Sequence, residues 1–158
     1  MAFVAADKEE NLHFSFLKLL KAGLSVAYQT RVNWAEERWS PGNLAYWAEV
    51  DMVQGPVGRC DKPWIMQVTV YWRPSEDELG HGYRQFLDAI RNALNVTSAN
   101  VYDFGTTDIT RASPSDTGYD FYPVPQPSGD APDIISGNIS GRFLRIKCYS
   151  VRPNTEWA

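Results

Sequence analysis

Histidine and cysteine are scarce in this 158-residue chain, at two each, and that scarcity removes whole classes of chemistry. The cysteines, Cys60 and Cys148, belong to no Cys-x-x-Cys pair, so zinc and thiol-redox motifs are absent. Two free thiols in a reducing compartment are expected. No stretch approaches the ~18 apolar residues of a membrane span, and Asp7, Glu9 and Glu10 precede any hydrophobic run, unlike a signal peptide. The expectation is a soluble protein made in a cytoplasm, with no membrane partner. Basic charge is not in excess either: 15 Lys and Arg against 19 Asp and Glu leave a net charge of -4 and a pI near 5.1. General affinity for nucleic-acid phosphates or anionic lipid needs the opposite balance. There is no glycine-rich phosphate loop and no nucleophile elbow.

Aromatic residues, by contrast, are plentiful. Six Trp, eight Tyr and seven Phe make 13% of the chain, more than a core of this size needs, and aromatics are enriched at protein interfaces. With 44% hydrophobic residues, one domain over 1–158 with a sizeable core is expected. The clearest strand is Trp64-Ile65-Met66-Gln67-Val68-Thr69-Val70-Tyr71-Trp72, rich in β-branched and aromatic residues. The clearest helix follows over roughly 76–94, with Ser75 as N-cap and Tyr83, Phe86, Leu87, Ile90 and Leu94 on one stripe.

Around that pair, Asp7 and Glu10 form a capping-box-like start to a helix over roughly 7–22, which stops at Gly23. Alternation of Val26, Tyr28, Thr30 and Val32 reads as a strand ending near Asn33, and Tyr46, Ala48, Val50 and Met52 as a second one. Between them, 34–43 reads as a loop with exposed tryptophans. A short strand is expected over 100–104 and a firm one over 143–149, where Leu144, Ile146 and Cys148 oppose Arg145 and Lys147. Residues 105–133 hold five prolines and three glycines without sustained period and read as a long loop. Tyr119, Phe121 and Tyr122 within it argue against a flexible linker. Residues 151–158 read as an exposed tail. The fold class is α+β: a mostly antiparallel sheet of four to five strands with two helices on one face.

Little points to catalysis. His81 beside Glu76, Asp77 and Glu78 is explained by acidic residues favouring a helix start, and His13 by an ordinary place on the first helix. Glu36, Glu37, Glu49 and Asp51 are the best carboxylate pairs, but the outer face of a strand accounts for them. Arg142, Arg145, Lys147 and Arg152 make the last strand basic, fitting a solvated face or an acidic neighbour. No catalytic residue, metal ligand or cofactor is assigned. The exposed-aromatic logic nominates Trp34, Arg38, Trp39, Tyr119, Phe121 and Tyr122 as protein-interface residues. The Tyr46–Met52 strand and the final strand are the candidate sheet edges for joining a neighbour.

The element order, with Trp64–Tyr71 leading through Glu78-Leu79-Gly80-His81-Gly82-Tyr83 into the Phe86–Leu94 helix, resembles the tail-terminator proteins of long-tailed bacteriophages. The likeness is topological, covering about residues 7–104 and more loosely 141–150. It implies a virion protein and no enzyme: a homohexameric ring that caps the tail tube, stops its polymerisation and offers a docking surface to the head–tail connector or stopper protein. Its partners would be itself, the tube protein and the connector. No nucleic-acid sequence would be recognised, although DNA would pass through the ring. Another neck protein, for tail completion or head closure, would look similar, and a small α+β enzyme or ligand-binding domain is the alternative from a different class.

Overall fold

The computed structural model describes residues 6, 8–34, 39–55, 63–77, 79–105, 114–126, 133–136 and 138–151. The chain runs α1 (Glu9–Gly23), α2 (Val26–Gln29), β1 (Val32–Asn33), β2 (Tyr46–Gln54), β3 (Trp64–Trp72), α3 (His81–Ala93), β4 (Ala99–Asp103), β5 (Ser115–Pro125), β6 (Asp133–Ser136) and β7 (Ile139–Val151). The fold is α+β, as the sequence implies. Its strands form one sheet in the order β1-β2-β3-β7-β5-β4, with β6 paired to the start of β7. Among the described strands, only the β1–β2 pair is parallel.

Alternation along β3 divides the sheet into an inner and an outer face. Trp64, Met66, Val68 and Val70 are buried inward, in register with Cys148, Ile146, Leu144 and Arg142 of β7. Across the other edge, Met66, Val68 and Val70 meet Met52, Val50 and Ala48 of β2. Trp64 is fully buried against Phe121 at 5.4 Å, and its indole N–H donates to Ser150 Oγ at 2.8 Å, so a large ring is dried without orphaning its polar atom.

The sheet curls around α1, which touches β4, α3 and β2. Asn11 and Ser15 lie one turn apart on one side of this helix and are both buried. Ser15 Oγ accepts the Tyr102 N–H at 2.8 Å, and Asn11 Oδ1 accepts the Phe104 N–H at 3.1 Å. The free edge of β4 is thus satisfied by helix side chains in place of a strand. His13 projects about 200° round the helix from Asn11 and lies beside the Val50 backbone of β2, its Nε2 buried without a hydrogen-bond partner. The helix therefore fills the gap between the two ends of the curled sheet. Gly23 permits its close crossing with α3, since a Cβ there would lie 2.5 Å from that of Ala93.

Several expectations are corrected. The alternation from Val26 reads as a strand, but Ser25 Oγ accepts the Tyr28 N–H at 3.3 Å and starts a single helical turn. Tyr28 then packs on Phe86 at 5.2 Å, and only Val32–Asn33 remains as strand. Helix α3 begins at His81, not near 76. Gly80 adopts φ +67, and Asp77, not Ser75, accepts the Gly82 and Tyr83 N–H groups. Tyr83 then stacks on Trp72 at 4.0 Å, clamping the end of β3 to the start of α3.

The largest correction concerns residues 105–133. Within them, β5 is an inner strand between β7 and β4, so Tyr119, Phe121 and Tyr122 do not lie on a loop. The Gln126 N–H donates to Arg145 O of β7 at 2.8 Å, so by alternation positions 123 and 125 aim their backbone nitrogens at the other edge. There, β4 pairing has already ended at Ala99–Phe121. Pro123 and Pro125 thus lose no ladder bond, and they blunt the open edge. Gly118, at φ +79, lies within the register shift opposite Val101. Val151 belongs to β7, and 152–158 lie outside the described residues. The final strand is no edge, being paired to β3 on one side and β5 on the other.

Candidate functional site

The outer face of β2, β3, β7 and β5 carries the side chains that the core does not use. Across these strands the register aligns Trp47 with Tyr71 and Gly141, Glu49 with Thr69 and Phe143, and Asp51 with Gln67 and Arg145. Further along, Ile65 aligns with Lys147 and Val124, and Tyr149 with Tyr122. α1 and α3 both pack on the opposite face. Phe143 is 45% exposed, Val124 44% and Tyr149 36%.

This face is ordered at one end and polarised across its width. Trp47 is buried beneath Tyr71, stacked at 5.4 Å, and the Arg73 guanidinium lies 4.9 Å from its ring centre. Arg73 is held in turn by the Gly42 and Leu44 carbonyls at 2.9 and 2.8 Å. Burial, and then the charge of and hydrogen bond to Glu49, raise the Tyr71 phenol above its usual range. Glu49 and Asp51 make β2 acidic, while Arg145 and Lys147 make β7 basic. Two strand spacings, about 9.6 Å, separate these strands. Arg145 Nε donates to Gln67 Oε1 at 3.2 Å.

The residues nominated from sequence scatter. Trp34 is half-buried against the core, donates its indole N–H to Gln29 O at 2.8 Å and lies 5.7 Å from Lys21 Nζ. It anchors the chain after α2. Trp39 is half-buried, and Arg38 lies outside the described residues. Phe121 is fully buried and Tyr119 packs against the core, which removes Phe121 from any interface. Only Tyr122 joins the outer face. Phe143, Tyr149 and Val124 are not among the residues the sequence nominates, yet the alternation that opposes Arg145 and Lys147 to Leu144 and Ile146 also places Phe143 and Tyr149 outward. Val124 carries no such signal, because prolines and glycines make residues 105–133 look like a loop.

His81 is exposed at the first residue of α3, and Glu36, Glu37, Cys60 and Arg152 lie outside the described residues. Among the described residues, no three His, Cys, Asp or Glu side chains gather as metal ligands. A cleft of about 240 Å³ opens beyond the end of α3, where Arg91, Asn92, Asn95 and Gln126 surround Leu94, Leu144 and Ile146. It is smaller than the ~300 Å³ at which ligand pockets begin, and among the described residues its lining holds no carboxylate, imidazole or thiol. Cys148 is buried, and burial pushes its thiol far up, so it is kept protonated. No described helix is long and apolar enough to cross a membrane. Comparison with protein-family models, curated proteins and solved structures finds no match for this chain.

Proposed function

We propose that this chain is a structural assembly subunit, a tail terminator of a long-tailed bacteriophage that forms a ring on the end of the tail tube. The observation that carries the reading is the outer sheet face, where Phe143, Val124 and Tyr149 stand exposed among Glu49, Asp51, Arg145 and Lys147. Exposed apolar side chains among rim charges are the composition of a protein-docking surface. Sheet extension is closed off at β4 by α1 and at β5 by its prolines, while at the opposite end β1 covers β2 only at Ala48 and Glu49, so the outer face and the rest of that β2 edge are what the sheet offers a neighbour. Six copies would close by heterologous contacts, with one ring face on the last tube ring and the other toward the connector. The role is architectural, and neither catalysis nor a cofactor enters it.

The test is to add the purified chain to preformed tubes of the tail-tube protein from the same phage and to sediment them. Co-sedimentation at a fixed amount per tube end, with a ring of density at the ends in negative stain, is the expected result. Protein left wholly in the supernatant, with bare tube ends, overturns the reading.

A further inference from the structure

We propose that, away from the tube, two copies of this chain pair outer face to outer face about a two-fold axis running along β3. The inference goes beyond the ring reading and rests on the sheet itself. In the order β1-β2-β3-β7-β5-β4, β3 is flanked directly by acidic β2 on one side and basic β7 on the other. Rotation by 180° about β3 lays β2 of one copy over β7 of its partner, at the same level along the strands. The register then sets Asp51 opposite Arg145, because both align with Gln67 on the axis strand. The match occurs twice by symmetry.

The charges are suited to such a contact. Among the described residues, neither Asp51 nor Arg145 makes an ion pair within the subunit. Both are exposed. The Arg145 bond to Gln67 engages Nε, and a guanidinium carries five N–H donors, so the forked end remains to meet a carboxylate. Phe143, beside Arg145 on the same strand, would be covered by the pairing. Sheets stack at about 10 Å with strands inclined by about 30°, a separation that these side chains span. A turned arrangement, with the two-fold across the strands, would set β2 on β2 and β7 on β7, acid on acid and base on base. Charge therefore selects the axis along β3.

The experiment is light scattering on the full chain and on Asp51→Arg, Arg145→Asp and the double variant, each checked for an unchanged thermal melt. The expected result is a mass of two subunits for the wild type. Each single reversal should weaken pairing at least tenfold, and both the double variant and an equimolar mixture of the two single variants should recover the pair. A wild type at single-subunit mass across tens of micromolar, or reversals that leave the mass unchanged, overturns the proposal. Pairing without attachment to tubes would end the ring reading alone. Rings on tubes from a strictly monomeric wild type would end the pairing alone.

Discussion

The two faces of the one sheet are built on opposite terms. Inward, most groups are answered within the chain: Trp64 by Phe121 and Ser150, the β4 edge by Asn11 and Ser15, Tyr83 by Trp72, with His13 Nε2 and Arg142 Nε the buried exceptions among the described residues. Outward, from Phe143 through Arg145 to Tyr149, side chains of all kinds stand beside one another with little to hold them. A group already satisfied contributes to folding, while a group left unsatisfied at the surface contributes only when something binds it. The inner face thus accounts for stability, and the outer face is the one available for assembly.

The sharpest way to test that division is one aromatic from each face. Phe121→Ala removes a fully buried ring and should cost about 3–5 kcal/mol of unfolding free energy by denaturant titration. Phe143→Ser, on the other side, should stay within about 0.5 kcal/mol while altering self-association. Equal losses at the two positions would break the comparison.

The polar seam around α1 should rank next. Ser15→Ala leaves the Tyr102 N–H without its acceptor beside a buried helix face, a loss of about 1–3 kcal/mol measurable in the same titration. Change of a surface hydroxyl would give a far smaller value.

His13 gives the seam a pH dependence. Burial lowers its pKa below the ordinary value of 6.5, although the Asp51 charge and the neighbouring Val50 backbone pull the other way. The unfolded chain therefore takes up this proton first. Stability from His13 is complete above about pH 6.5 and falls as pH drops through the lowered folded value. Thermal melts between pH 7.5 and 5 should show a loss for the wild type that is smaller for His13→Gln. Parallel curves for the two proteins would exclude the seam as its source.

How much of this was legible depended on whether local pattern and tertiary context agreed. Trp64–Trp72 and the Tyr83–Leu94 stripe could be read because periodicity and burial coincide there. The Val26–Val32 alternation misled because a one-turn helix capped by Ser25 presents Tyr28 inward just as a strand would. Pro123 and Pro125 misled more deeply. A proline is compatible with a strand when its missing N–H faces an unpaired edge, and which edge it faces depends on β4 ending at Ala99, far away in sequence. The same error hid Val124 and turned buried Phe121 into an interface candidate. The outer aromatics Phe143 and Tyr149 were within reach, since the alternation of the last strand already marks its outward positions.

The most direct measurement is the length of tail tubes grown in electron micrographs from tube protein with and without this chain. If the chain terminates tubes, growth stops early and each arrested end carries a closed ring of density. Tubes of unchanged length with bare ends would contradict the assignment.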